Sequence, residues 1–176
     1  MDVKKCVYYL DFAPCPLLAI GLSIGTLHAS APAESLAFAE TVLAALITWP
    51  ALEYLVHRLV YHHVPIIRDL HDVHHRNPAS YESGPPFLGC FSIALFVSAP
   101  LMPFGSILAS GTTVGTLIGY SVYTVVHHAL HHWSIAPKSV LYAAWRRHAR
   151  HHYSRTPGNY GVTSNLLDRV FGTALH

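Results

Sequence analysis

Thirteen of the fifteen histidines in this chain fall in four short clusters, and the spacing inside the clusters restricts the fold to helices that converge on one place. The clusters are HRLVYHH at 57–63, HDVHH at 71–75, HHALHH at 127–132 and HARHH at 148–152. His71, His74 and His75 stand at i, i+3 and i+4, the spacing that puts three side chains on one face of a short helix, and His148, His151 and His152 repeat it. His127 with His131, and equally His128 with His132, stand at i and i+4. His57 and His62 are five apart, which in an α-helix turns them about 140° from one another at ~100° per residue. Only His28 and His176 lie outside the clusters.

Imidazole is the commonest side-chain ligand for zinc, copper, iron and nickel. Two HxxHH elements, one HxxxxH and one HxxxH supply about ten imidazoles, where a structural zinc takes roughly four protein ligands and a catalytic zinc roughly three. Such a supply suits two metal ions. A lone histidine at a helix end reads as an interfacial residue. Four clusters of weakly basic groups gathered without a metal would repel one another once protonated.

Composition says where such a site sits. Hydrophobic residues make up 52% of the chain and charged residues 11%, against roughly 25% charged in soluble domains. A bilayer core needs ~20 apolar residues per helix. That ruler finds spans at 35–56, 87–108 and 109–127, and a weaker one at 12–31, which Pro14 and Pro16 interrupt early and His28 late. The first segment also has a reading as a cleaved signal peptide, which Asp2, Asp11 and the two prolines fit poorly. Ser110, Gly111, Thr112, Thr113, Gly115 and Thr116 suit close helix packing in lipid.

With four crossings and both termini inside, all eleven lysines and arginines fall on one face, as the positive-inside rule requires. The four histidine clusters share that face. The expected fold is therefore all-α: a single integral membrane domain over 1–176, about four transmembrane helices carrying a cytoplasmic, histidine-rich helical cap. Cys6, Cys15 and Cys90 show no metal-binding spacing and no disulfide framework, and read as small buried hydrophobes.

EYLVHRLVYH at 53–62, HDVHHRNP at 71–78, GYSVYTVVHHALHH at 119–132, HARHH at 148–152 and NYGVTSNLLDRVFGT at 159–173 resemble, in order, the membrane-bound fatty acid hydroxylase and sterol desaturase superfamily. The ExxxHRxxxH opening is most similar to the fatty acyl and ceramide 2-hydroxylases. The resemblance covers about residues 50–173. It implies a histidine-ligated di-iron centre that uses O2 and an external electron donor, such as a cytochrome b5 or a ferredoxin, to oxidise a lipid C–H bond. Zinc is an alternative occupant on isolation. The ligand pattern falls on His57, His62, His71, His74, His75, His127, His131, His148, His151 and His152. The interval between His132 and His148 selects the register of His127 and His131 over that of His128 and His132.

The pattern is departed from in three places. The interval from His62 to His71 is short, Thr124 stands where the acyl hydroxylases carry an aspartate, and Leu167 stands where a tryptophan often precedes the closing aspartate. These bear on substrate and leave the histidine set whole.

Neutral imidazoles leave the charge of the metal ions uncompensated, which favours a strong oxidant. Outer groups are expected to fix the ring tautomers, and the acids available are Glu53, one turn before His57, with Asp72 and Asp168. Asn159 and Asp168 belong to a closing segment that resemblance packs against the cap, with Gly158, Gly161 and Gly172 as turn or cap positions. Trp133, Tyr142, Trp145 and Tyr153 flank the last two clusters as an interfacial aromatic belt.

The expected activity is that of a monooxygenase acting on a membrane lipid or fatty acyl substrate, with electrons from a separate protein. A desaturase, or a carotenoid or sterol hydroxylase, would use the same ligands. A histidine-rich metal-handling protein is the reading from another class, although transport sites sit nearer the bilayer midplane. Nothing points to nucleic-acid binding.

Overall fold

The structure is a computed structural model and describes residues 3–10, 12–81 and 88–175. Residue 87, where the third span is predicted to start, and His176 lie outside the described residues. Every regular element among those residues is helical. In order they are α1 (Val3–Leu10), α2 (Pro14–Ala29), α3 (Pro32–Leu55), a π-helix (Val56–Tyr61), α4 (Pro65–Arg76), α5 (Leu88–Ile93), a second π-helix (Ala94–Ser98), α6 (Ala99–Leu101), a 3₁₀ turn (Met102–Phe104), α7 (Ser106–His132), α8 (Tyr142–Tyr153) and α9 (Leu166–Val170).

Local chemistry sets most of the boundaries. Three helices open on proline, whose missing N–H costs nothing in a first turn. At the start of α3 the Glu34 carboxylate accepts the Ala31 N–H at 2.9 Å. Val64, before Pro65, is extended (φ −78, ψ 115), the conformation that a following proline favours. The 3₁₀ turn ends on Gly105 at φ 122, a conformation that only glycine adopts readily. The break between the last two apolar stretches therefore falls at Gly105, and not between residues 108 and 109. Hydroxyls inside the apolar helices bond to their own helix: Thr113 to the Ala109 carbonyl at 2.6 Å and Thr116 to that of Thr112 at 2.8 Å, which satisfies them without water.

The chain divides into two compact units, Met1–Trp49 with Tyr81–Val122, and Pro50–Ser80 with Tyr123–His176. In the first, Gly111, Gly115 and Gly119 form a stripe along α7 facing α3. A Cβ on Gly115 would lie 2.6 Å from the Ala45 Cβ and 2.6 Å from the Val42 carbonyl oxygen, and one on Gly119 would lie 2.5 Å from the Trp49 ring. The helices pack backbone to backbone, as small-residue stripes allow in lipid. Around this contact Cys15, Ala19, Phe38, Cys90, Ile93, Val114 and Leu117 form the core.

Cys15 and Cys90 are joined by a disulfide across 75 residues, and Cys6 is free. This corrects the sequence reading of three unpaired cysteines. No local spacing announces a bond between residues that only tertiary packing brings together.

Two described helical stretches, Val3–Ala29 and Pro32–Tyr61, are long and apolar enough to cross a membrane. Only 12% and 11% of their most apolar windows are buried, where the core helix of a soluble protein would be covered. Leu36, Leu43 and Ile47 present a bare apolar face on α3.

The second unit holds all four histidine clusters. It is closed by the segment around 158–175, which α9 anchors. Asp168, wholly buried, accepts the Tyr160 N–H at 2.9 Å, the Gly161 N–H at 2.8 Å and the Thr173 hydroxyl at 2.7 Å. Glu53, also buried, accepts the N–H groups of Val162 at 2.6 Å and Thr163 at 2.9 Å, and the Thr163 hydroxyl.

Candidate metal centre

The sequence HxxHH on α4 predicts three histidines on one face, and the structure divides them. His71 and His75 turn into one group with His57, His62 and His151, while His74 turns into a second group with His127, His131, His148 and His152. On α8 the division is mirrored, with His148 and His152 in the second group and His151 in the first. Each HxxHH helix gives its outer pair to one group and its middle histidine to the other. Within each group one ring nitrogen from every residue lies within 4.8 Å of all the rest.

His57 and His62 come together through the π-helix. Bonding of the i→i+5 type stands residues five apart over one another, and such turns recur at functional sites. The two rings stack at 5.2 Å and 24°, in place of the wide divergence an α-helix would give. No helical wheel built on the α period anticipates this.

The Nε2 atoms face inward. In the first group those of His57 and His71 are 3.1 Å apart, His71 and His75 3.1 Å, His75 and His151 3.1 Å, and His62 and His151 3.3 Å. In the second, His131 and His148 are 2.7 Å apart, His148 and His152 3.1 Å, and His127 and His131 3.3 Å. Two nitrogens each bound ~2.0–2.1 Å from one ion lie about 2.9–3.4 Å apart for angles between right and tetrahedral. The His57 Nδ1–H donates to the Tyr160 carbonyl at 2.6 Å and the His151 Nδ1–H to the Gly158 carbonyl at 2.8 Å. A neutral ring that spends its proton there has a bare lone pair at Nε2. The buried Nε2 of His74 has no hydrogen-bond partner. Nitrogen lone pairs crowded at these distances fit a cation among them, so the donor set fits two metal ions of the imidazole-preferring kind.

Electrostatics keeps the rings neutral. Burial first, and neighbouring imidazoles second, push His62 down to about 4, His74 to about 3 and His131 to about 4. His75 falls to about 4 by burial and then His62, against the pull of Asp72. His151 falls to about 4, chiefly by burial. His71, His148 and His152 are held low by the same two causes. Deprotonated imidazole is the form that ligates.

Glu53 and Asp168, predicted to hold the imidazoles, carry the hydrogen bonds described above to the closing segment. The carbonyls of Gly158 and Tyr160, which receive the ring N–H groups, belong to that same segment. The sequence flags the NYG motif, but a main-chain carbonyl has no side-chain signature. Between the two carbonyls Asn159 is left-handed at φ 54, a position the glycines were expected to fill. Its buried amide donates to the Arg147 carbonyl at 3.2 Å and accepts the Leu175 N–H at 2.9 Å. Gly158 and Gly161 serve instead by lacking a Cβ, which would strike the carbonyls of Thr173 and Ser164 respectively. Gly172, at φ 66, is a turn glycine.

His128 and His132 stack on each other at 4.6 Å and join neither group. His63 donates its Nδ1–H to the Arg58 carbonyl at 2.7 Å.

Helices throughout the described residues, apolar stretches long enough to cross a membrane and two five-histidine groups define a class, helical membrane-type proteins with clustered imidazoles compatible with a metal site. The particular family follows from comparison. The family model described as fatty acid hydroxylase matches residues 42–173, and the chain belongs to that family. A dihydroceramide fatty acyl 2-hydroxylase of Arabidopsis thaliana is 30% identical over 75% of this chain and 59% of its own length. A fatty acid 2-hydroxylase of Macaca fascicularis is 28% identical over 96% of this chain and 48% of its own. A ceramide very long chain fatty acid hydroxylase of Schizosaccharomyces pombe is 31% identical over 74% and 41%. The chain thus spans about half the length of these relatives, and it falls in the 2-hydroxylase-like branch. Among solved structures, full-length scs7p, of which only the hydroxylase domain is visible, superposes with a TM-score of 0.81 at 23% identity, over 97% of this chain and 67% of that one. The fold is shared.

Proposed function

We propose that this chain is a membrane lipid hydroxylase whose ten clustered histidines hold two iron ions and which inserts one oxygen atom of O2 into a fatty acyl C–H bond. The overall balance is RH + O2 + 2e⁻ + 2H⁺ → ROH + H2O, with both electrons delivered by a separate donor protein. The observation that carries the reading is the exchange of histidines between α4 and α8, which builds two five-nitrogen sites from helices that share ligands. The fatty acid 2-hydroxylase and dihydroceramide fatty acyl 2-hydroxylase relatives support a fatty acid or ceramide substrate and the 2-position.

The metals, when bound, would supply activation of dioxygen and a strong oxidant for an unactivated methylene. The protein's own residues do the rest. His57, His62, His71, His75 and His151 hold one ion, and His74, His127, His131, His148 and His152 the other. Gly158 and Tyr160 orient two of the rings through their carbonyls, and Asp168 and Glu53 hold that segment in place. Four crossings with the basic face in the cytoplasm would set the centre at the membrane boundary, where an acyl chain enters from the bilayer and electrons arrive from water. Zinc suits the same nitrogens and is the occupant to expect from metal capture during expression.

The test is mass spectrometry of membrane lipids from cells expressing the chain or its His151→Ala variant, with metal analysis of both purified proteins. A species heavier by about 16 Da, absent from the variant together with part of the metal, is the expected result. One lighter by two hydrogens would make the chain a desaturase. Full metal content and activity in the variant would sink the ligand assignment.

A further inference from the structure

His57 and His151 both donate their Nδ1–H to main-chain carbonyls of the closing segment, at 2.6 Å and 2.8 Å, yet the two peptide groups that receive them end differently. The Tyr160 carbonyl shares its peptide group with the Gly161 N–H, which donates to Asp168 Oδ2 at 2.8 Å. The Gly158 carbonyl shares its own with the Asn159 N–H, which donates to the Thr173 carbonyl at 2.9 Å. One imidazole therefore leads through a single peptide group to a buried carboxylate, and the other to a neutral amide. The Tyr160 N–H and the Thr173 hydroxyl meet Asp168 at Oδ1, so each of these bonds at the carboxyl comes from a donor, the part an acceptor-only carboxylate plays. Successive N–H groups aimed at one anion form a nest. Gly161 admits it, since a Cβ there would lie 3.0 Å from Oδ2. In the second group the buried Nδ1 atoms of His148 and His152 have no hydrogen-bond partner among the described residues.

We propose that Asp168 pushes electron density onto His57 through the peptide group between Tyr160 and Gly161, making the His57 Nε2 a stronger donor than that of His151 within the same group. The inference rests on the proposed metal centre and adds an inequality between its two ions. A carboxylate that accepts an amide N–H polarises the amide, and the carbonyl at its other end gains negative charge. Hydrogen bonds chained in this way strengthen one another by ~10–30% per bond in a low-dielectric interior. His57 is 1% exposed and Asp168 0%, so water does not screen the relay. The shorter of the two imidazole bonds lies on the charged relay, and charge assistance shortens hydrogen bonds. A carboxylate bonded directly to a ligating imidazole raises its basicity; here one peptide group stands between the two. The ion of the first group then meets an imidazole of partly anionic character, which favours the more highly charged state of that ion. The second ion receives no such push through His148 or His152. Mere fixing of the closing segment would act on His57 and His151 alike, because both carbonyls belong to it. Asp168 is thus a positioning residue whose charge, and not its shape alone, reaches a metal-facing nitrogen.

The experiment uses the detergent-purified full chain, loaded with zinc and isotopically labelled at histidine, and reads the exchange-protected imidazole N–H signals by NMR. His57→Gln and His151→Gln assign the two signals. A stronger Nδ1–H hydrogen bond moves its proton downfield, so wild type should place the His57 signal downfield of that of His151; the reverse order would overturn the proposal. Asp168→Asn keeps the shape and an acceptor but loses the charge, and should move the His57 signal upfield while that of His151 stays. An unmoved His57 signal, or equal upfield shifts of both, would overturn it too. Thr173→Val removes a donor that competes at Oδ1, leaves more charge for the Gly161 N–H, and should move the His57 signal further downfield, whereas loosened packing predicts the opposite sign. Should Asp168→Asn fail to fold, an unmoved or upfield His57 signal in Thr173→Val decides against the relay. A wild-type chain that takes up no zinc would refute the metal centre itself, which is a separate outcome.

Discussion

Replacing Asp168 by asparagine tests whether a carboxylate outside the histidine groups governs metal binding through the main chain. Asp168 is 0% exposed and accepts hydrogen bonds from the Tyr160 N–H, the Gly161 N–H and the Thr173 hydroxyl. Asparagine has the same shape but turns an NH2 toward one of these donors, so at least one buried N–H loses its acceptor and the other bonds lose their charge. Hydrogen bonds to charged groups contribute ~1.5–3 kcal/mol and an unmet buried donor costs ~1–3 kcal/mol, which places the loss of stability at about 2–4 kcal/mol. That is a large part of a typical stability of ~5–15 kcal/mol. The same segment carries the Gly158 and Tyr160 carbonyls that hold His151 and His57, and loss of such outer support weakens metal sites by roughly 10–100-fold. The assay is thermal unfolding together with chelator competition on the detergent-purified protein, where one of two ions should become easier to strip. A lower Tm with both affinities intact would refute the positioning route and leave Asp168 a packing residue.

Two further outcomes are expected. Gly115→Val should destabilise the first unit by about 1–3 kcal/mol or more, because its Cβ would meet the Val42 carbonyl and Ala45 at 2.6 Å and the backbone there has no room to yield; an unchanged Tm would contradict the close approach of α3 and α7. In chelator-stripped protein the histidines pushed down to about 4 or below, His62, His74, His75, His131 and His151, are neutral when folded and titrate near 6.5 when unfolded. The unfolded chain therefore binds more protons between these values, so stability is complete above about pH 6.5 and is lost as the pH falls toward 4; a flat profile of Tm against pH across that window would refute burial of these rings.

Helical spacing and hydropathy made the histidine clusters and the apolar stretches legible, since both depend only on near neighbours. Three features escaped because they arise from contacts distant in sequence or from departures from regular geometry. The Cys15–Cys90 bond needs α2 beside α5, the π-helix at Val56–Tyr61 alters the period on which the wheel is drawn, and the Gly158 and Tyr160 carbonyls belong to the backbone. Glu53 and Asp168 were visible as acids near the clusters, but their partners in the closing segment were not, since Glu53 bonds across about a hundred residues of chain.

The division of each HxxHH follows from helix geometry once two ions are considered. Residues at i and i+4 lie about 40° apart around the axis, close enough for both rings to reach one ion, whereas i+3 lies about 60° to the other side of i and about 100° from i+4. One ion cannot gather all three without unwinding the helix. A second ion on the flank of the middle histidine would remove the conflict, and α4 and α8, each carrying the same three-residue pattern, place their histidines so as to meet that need for one another. The repeated motif is thus what the proposed paired centre would require: a single HxxHH would leave His74 or His151 facing a group with fewer partners, and neither group keeps five nitrogens unless both helices are in place.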